Sequence, residues 1–402
     1  MTSDRTDAPV AAPQALSGRL LSLDAFRGAI MLFLLSAGFG FRDVARRFPD
    51  SDGWQFLASQ TDHALWLGGG AWDMIQPAFM FMVGVAMPFS YGKRREAGED
   101  LGRQFRHVAW RTVVLLLIGL VIVTKPGAER TMFLFTNVLA QIALGYPFLF
   151  LLSLTTERSQ WLAIGLLGIA SWMLFATYPP PPANFNYAQV GVRPGMLEAV
   201  TLPGFFSHWN MGTNVGAEFD RWFLNLFPRE KPFDYNPGGY VTLNFAPSLI
   251  TMTLGLMSGA RLRGVGSPRD KLVWMLLTAL VCTMLGYSAG VTVCPVVKRI
   301  WTPSWAFYSG GIVVFLLACF YYLVEIRGWK RWTFPLVVVG VNSIAAYLMD
   351  IYFRDWVMDR LRSHLDFAIK GDYAIIIFRT LTLLVMWVAC WWMYKRKLFL
   401  KI

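Results

Sequence analysis

Apolar residues along this chain fall in runs of about twenty, without the period-two alternation of membrane strands. A run of that length is what an α-helix needs to cross a hydrocarbon core of about 30 Å. Only helices and closed barrels satisfy every backbone group in lipid, and a barrel would require alternating strands. The pattern predicts an all-α polytopic bundle of about ten transmembrane helices. They are expected at about 24–41, 71–91, 107–124, 132–153, 161–178, 244–262, 271–292, 303–324, 333–353 and 374–394. Residues 1–20, rich in Ala, Pro, Ser and Asp, read as a disordered N-terminal tail, and 21–402 as one transmembrane domain. The first apolar run, from Ala25 to Phe41, reads as the first span rather than a cleaved signal.

Polar residues between the runs set the orientation. Lys93, Arg94, Arg95, Arg103 and Arg106 form one cluster, and Arg261, Arg263, Arg269 and Lys271 a second. Arg327, Lys330 and Arg331 form a third, and Lys395, Arg396, Lys397 and Lys401 a fourth. With ten spans all four fall on one side, which the positive-inside rule makes cytoplasmic, together with both termini. The other side carries mixed-charge loops and one long loop at about 179–243, opening on Pro179 to Pro182 and rich in Trp, Phe, Asn and Gly. A loop of that length and aromatic content points to a folded, functional cap.

Composition narrows the class. Of the 402 residues 55% are hydrophobic and only 15% charged, against about 25% charged in soluble domains. This excludes an ordinary cytosolic enzyme, a disordered protein and a disulfide scaffold. The net charge of +12 is first a topology signal and then a hint of an anionic ligand. No basic stripe accompanies a nucleic-acid reading motif, so no nucleic-acid partner is expected. Cys282, Cys294, Cys319 and Cys390 are scattered in apolar sequence without metal spacing, so no metal is expected.

Ionisable residues in or beside a span are costly and so are candidates for function. Asp24 and Arg27 are three apart at the start of span one, on one helix face, where a cation could hold a phosphate. His63 stands ten residues before Asp73, which opens span two at the same membrane face. A carboxylate holding one ring N–H would leave the other nitrogen free as base or nucleophile. His107, His208 and His364 lack such a partner at helical spacing and read as surface residues. Asn137 and Gln141 share a face of span four, and Asn244 opens span six. Asn342, Asp350 and Arg354 lie on roughly one side of span nine, with Asp350 facing Arg354 or Arg379 as an ion-pair partner. A basic inner mouth and a histidine-bearing outer mouth suit two machines. One is an acyltransferase taking an anionic donor from the cytoplasm, the other a transporter or flippase for a sugar or lipid-linked glycan. No repeat relates residues 1–200 to 201–402, which favours the enzyme.

The run Arg19-Leu-Leu-Ser-Leu-Asp24-Ala-Phe-Arg27-Gly28 resembles the opening motif of the heparan-alpha-glucosaminide N-acetyltransferase family. His63-Ala-Leu-Trp66, Asp73, Pro77 and Phe-Met-Val-Gly84 are similar to its next block. Weaker matches lie at Leu139–Tyr146, Asp220-Arg221, Asp234–Tyr240 and Gly255–Gly259, and more distinctive ones at Trp301–Ser304 and Gly340–Ser343. The resemblance implies a multi-span bundle that moves acetyl groups from cytoplasmic acetyl-CoA to an extracytoplasmic sugar, as N- or O-acetylation. It implies His63 and Asp73 as catalytic residues. Asp24, Arg27, Lys93, Arg94, Arg95, Arg261 and Arg263 are expected around the donor, and Trp66, Asn342 and Asp350 around the acceptor. The chain departs from the family at Ser36-Ala37-Gly38, at Asn236-Pro237-Gly238-Gly239 and at Ala140-Gln141, all touching the acceptor side. The implied partners are membrane lipids and a glycan acceptor, with a homodimer left open, and the implied location is a bacterial inner membrane.

Overall fold

A computed structural model describes residues 20–400. The tail expected at 1–20 therefore lies, up to residue 19, outside the described residues, as does Lys401. The helices are α1 Leu21–Leu35, α2 Phe41–Arg47, α3 Asp52–Gln60, α4 Ile75–Glu96, α5 Leu101–Val123, α6 Val138–Leu152 and α7 Glu157–Ala176. They continue with α8 Leu197–Val200, α9 Val215–Phe223, α10 Phe245–Arg263, α11 Pro268–Thr292, α12 Pro303–Tyr321, α13 Phe334–Gly340, α14 Ser343–Leu365 and α15 Ala374–Lys395. Among the described residues there is no β-strand, only isolated bridges of Leu67 and Gly68 with Val297.

Helices stand at all ten expected positions, yet seven are long and apolar enough to cross a membrane, or eight if a bent pair counts as one. That pair is residues 331–340 and 343–365, bent by 67°. The sixth helix spans 15 residues, because the chain up to Asn137 is extended and Asn137 caps the helix through the Ala140 N–H. The tenth, α10, fails on apolarity for a physical reason. Fourteen of its 19 residues are buried, among them Ser248, Thr251, Thr253 and Ser258. It packs against protein on all sides, touching α4, α6, α7 and α12. Small residues there permit close helix approach. A Cβ added at Gly84 would overlap the Met252 carbonyl, and one at Gly255 the Phe81 carbonyl. The backbones of α4 and α10 are thus in contact, which fixes α4 in the centre of the bundle.

The outer helices are the converse. Leu117 and Val121 of α5, Leu162 and Leu166 of α7, Leu280 and Val281 of α11, and Leu384 and Val388 of α15 are all exposed. Apolar faces of that extent are stable against lipid and not against water.

The antiparallel order gathers the basic clusters at one end. There Arg95 reaches the Ser153 carbonyl at 3.4 Å, Arg261 pairs with Glu157 at 2.8 Å, and the Ser22 N–H donates to Glu325 at 2.9 Å. His63, Asn137, Asn244 and the 177–243 segment lie at the opposite end. That segment folds as a cap on a core of Trp209, Val200, Met211 and Val241, joined by Trp66 and by Val297 and Ile300. The Trp66 indole donates to the Trp209 carbonyl at 3.0 Å, stitching the His63 loop to the cap.

Asp220 in α9 closes the cap onto α10. Its carboxylate accepts the Thr242 N–H at 3.2 and 3.0 Å, and it is fully buried. Burial pushes its carboxyl up to about 6, against the lowering effect of the Thr242 bonds and of Arg229. A raised native value means that the native state holds the proton longer than the unfolded chain. Its contribution to stability is then complete below about pH 4 and is lost as pH rises through about 6. From 3.8 to about 6 this is on the order of 3 kcal/mol. Asp220→Asn is expected to flatten that part of the stability curve, measured as thermal unfolding in detergent between pH 4 and 7. An unchanged slope would show that the carboxyl does not titrate in the fold.

Candidate functional site

Two loops at the cap end meet over the start of α4. The first runs from α3 to Gly70 and carries His63. The second runs from α11 to α12 and carries Lys298. The Gly68 N–H donates to the Val296 carbonyl at 2.8 Å, and the Arg299 guanidinium binds the Ala64 carbonyl at 3.2 Å and the Gly238 carbonyl at 2.6 Å. The loops are therefore held in register independently of the charged side chains between them.

Asp73 stands in the first turn before α4, where the helix dipole favours a carboxylate. Its side chain is 0% exposed. One oxygen, Oδ2, accepts the backbone N–H of Ala64 at 3.0 Å and of Gly70 at 3.2 Å. The other, Oδ1, lies 2.7 Å from His63 Nδ1 and 2.8 Å from Lys298 Nζ. Lys298 Nζ is itself 3.0 Å from His63 Nδ1. The lysine side chain is 5% exposed, whereas that of His63 is 43% exposed. The carboxylate is thus buried and fully bonded, and the imidazole reaches outward from it.

Two cavities adjoin this cluster, and a third shares wall residues with one of them. A pocket of about 280 Å³ is lined by His63 and Lys298 together with Trp72, Gln76, Asn137 and Tyr240. A more polar cleft of about 470 Å³ lies on the far side of His63, lined by Gln55, Ser59, Gln60 and Asp62. A cavity of about 640 Å³ opens toward the basic end between α1, α4, α5, α6 and α14, with Arg27, Arg94, His107 and Arg111 in its wall. The first and third share Phe79, Val138 and Tyr347. The Phe79 and Tyr347 rings meet edge to face at 6.1 Å. The cationic chamber and the His63 pocket thus abut at a wall of Phe79, Val138 and Tyr347, and of the charged trio His63 alone lines both pockets on the cap side.

Of the residues expected at the donor, the structure brings Arg27 and Arg94 to the large cavity. Asp24 is buried beside Arg27, 3.8 Å from its guanidinium. Lys93 and Arg95 are exposed on α4. Arg261 pairs with Glu157 and Arg263 with Glu96, and neither lines the chamber. Arg111 and His107 were not anticipated. His107 is no isolated surface residue: its Nδ1 is 3.0 Å from the Tyr91 hydroxyl, and Tyr91, Tyr146 and Arg111 continue the chain of contacts.

None of the three residues expected at the acceptor lines the two pockets beside His63. Trp66 is 1% exposed and serves the cap core. Asn342 sits at the α13–α14 break, where it binds the Leu398 carbonyl at 2.9 Å and the Leu400 N–H at 3.1 Å. Asp350 is paired with Arg354 on its own helix, Nε at 2.8 Å. Tyr240 lines the His63 pocket instead of Trp66. Lys298 was missed as well. No local signal singled it out, since Lys298-Arg299 is one of several basic groups in the loops of that face.

Fold and site together define an all-α membrane bundle with a histidine–carboxylate–lysine cluster at a pocket that abuts a cationic chamber. No family model matches the chain. It is similar to heparan-alpha-glucosaminide N-acetyltransferase of Homo sapiens, 24% identical over 440 aligned positions, covering 96% of this chain and 60% of that protein. The mouse protein of the same name is also 24% identical, over 439 positions and 61% of its length. The chain spans about 60% of the length of these relatives.

Proposed function

We propose that this protein is a membrane acyltransferase that uses acetyl-CoA from the side of its basic end and acetylates an amine or hydroxyl of a sugar at the cap end. The observation that carries this reading is the adjacency of the Arg-lined chamber and the His63 pocket across Phe79, Val138 and Tyr347. By the positive-inside rule the basic end is cytoplasmic, where the donor is made available. The name of the relatives supports the same chemistry.

The chamber suits a phosphate-bearing ligand. Arg27, Arg94 and Arg111 are planar fork donors that match phosphate oxygens. The Arg111 Nε is buried without a hydrogen-bond partner, a donor awaiting an acceptor. Acetyl-CoA would supply an activated acetyl thioester, its phosphates at these guanidinia. Asp73 holds the Nδ1–H of His63, leaving Nε2 to take the proton as the acceptor amine or hydroxyl attacks the thioester carbonyl, and to return it to the CoA thiolate as the C–S bond breaks. The cleft of Gln55, Ser59, Gln60 and Asp62 offers hydrogen bonds to a sugar at the other face of the imidazole.

Purified protein incubated with radiolabelled acetyl-CoA and amino sugars tests the reading. Donor turnover by wild type that vanishes in His63→Ala supports it. Folded wild type that neither binds nor turns over the donor overturns it, and directs attention to transport of a glycan. Within the reading, Arg111→Gln is expected to raise the KM for acetyl-CoA roughly 10- to 100-fold, as for loss of a hydrogen bond to a charged group. The KM for the acceptor should not move. An equal rise in both would place Arg111 outside the donor site.

A further inference from the structure

Lys298 Nζ, His63 Nδ1 and Asp73 Oδ1 form a triangle with sides of 2.8, 3.0 and 2.7 Å. An ammonium has three donors and no acceptor. His63 Nδ1 can therefore donate to Oδ1 or accept from Nζ, but not both. The first arrangement leaves a lone pair on Nε2, facing the pocket. The second puts the proton on Nε2 and removes the base. A carboxylate alone would favour a ring with both nitrogens protonated, whereas a cation 3.0 Å from the ring opposes the second proton.

We propose that Lys298 is a positioning residue that, with Asp73, keeps His63 in the singly protonated form with Nε2 free. The inference rests on the acyltransferase reading for its functional meaning. Lys298 does not touch the reacting atoms in this scheme. It holds Oδ1 and supplies the opposing charge, so that the proton His63 takes from the acceptor is released again.

The local fold supports a designed placement. Lys298 belongs to a tight loop closed by the Trp301 N–H on the Lys298 carbonyl at 2.9 Å and by the Val297 N–H on Thr302 Oγ1 at 3.0 Å. Trp301 is fully buried at a φ of 48°, in the left-handed region that a bulky residue adopts only under constraint. A buried ion pair is weak evidence of stabilisation, since an apolar residue would often fill such a site as well. What the lysine adds is charge at the ring. The other charged groups around His63 are accounted for. Asp62 accepts the His63 backbone N–H at 2.9 Å and is paired with Arg42 at 2.8 Å, while Arg299 is spent on the carbonyls of Ala64 and Gly238. Gln76, Thr136, Asn137 and Tyr240 are polar, uncharged neighbours on the pocket wall.

The test measures the protonation of His63 both without and with turnover. Diethyl pyrocarbonate modifies neutral imidazole. Its rate at His63, read by peptide mass spectrometry across pH 5–8, is compared in wild type, Lys298→Met and Lys298→Arg, beside the pH profile of acetyl transfer. The proposal expects the acid limb of both curves to move up by about one pH unit or more in Lys298→Met. Lys298→Arg should return them toward wild type, which a merely structural role would not require. Coincident curves for wild type and a folded Lys298→Met overturn the proposal. If Met at this position prevents folding, Lys298→Gln is read in the same way. A modification curve that shifts while wild type shows no acetyl transfer refutes the acyltransferase reading and leaves the role of the lysine standing.

Discussion

Replacing His63 by alanine is expected to lower acetyl transfer by about 10²- to 10⁴-fold, the usual contribution of a positioned general base, with little change in thermal stability. The two halves of that expectation have separate causes. The imidazole is 43% exposed and makes no buried contact that the core depends on. Its removal leaves Asp73 bonded to Lys298 and to the Ala64 and Gly70 N–H groups. Its Nδ1 bond to the carboxylate and its place between two pockets are what transfer would lose. Donor binding in the chamber should be retained, because Arg27, Arg94 and Arg111 line the chamber and not the His63 pocket. Full turnover by the variant would remove His63 from the chemistry.

Asp73→Ala is expected to do the opposite in kind and to cost stability first. The carboxylate is wholly buried and is the acid partner of a lysine that is itself 5% exposed. Deleting it strands a buried ammonium, typically at about 3–5 kcal/mol. It also removes the acceptor for the Ala64 and Gly70 N–H groups. Asp73→Asn should recover part of the loss, since an amide oxygen still accepts those N–H bonds, while transfer stays low because the charge that holds His63 and Lys298 is gone. Thermal unfolding of the two variants in detergent, beside their acetyl transfer, checks both. An Asp73→Ala protein as stable as wild type would mean that Lys298 finds water or another anion.

The site was partly legible before any fold was known. The spacing of His63 and Asp73 across a loop and a helix start brings the pair to one membrane face, and the structure holds the two atoms 2.7 Å apart. Local spacing also placed Arg27 and Arg94, which begin and end helices at the basic end. It failed for residues whose partners are far along the chain. Lys298 is 225 residues from Asp73 and 235 from His63. Arg111 enters the chamber only because α5 packs on α6 beside α4. Trp66 looked like a sugar platform, since an aromatic near a catalytic pair does in many sites, but the cap folds over it and buries it. Asn342 stands at the 67° break before α14, where it bonds Leu398 and Leu400, whereas Asp350 lies within α14 against Arg354.

By itself the sequence determined that this is an all-α membrane bundle, because runs of about twenty apolar residues leave the backbone no other way to satisfy its hydrogen bonds in lipid. It also determined that the basic clusters share one end and that a histidine and a carboxylate share the other. Tertiary structure alone decided which cations face a cavity, that this cavity abuts the His63 pocket, and that a lysine completes the pair. Those are properties of helix rotation and packing, set by the contacts of α4 and α10 and by the loops over them, and no window of sequence short enough to read locally contains both partners.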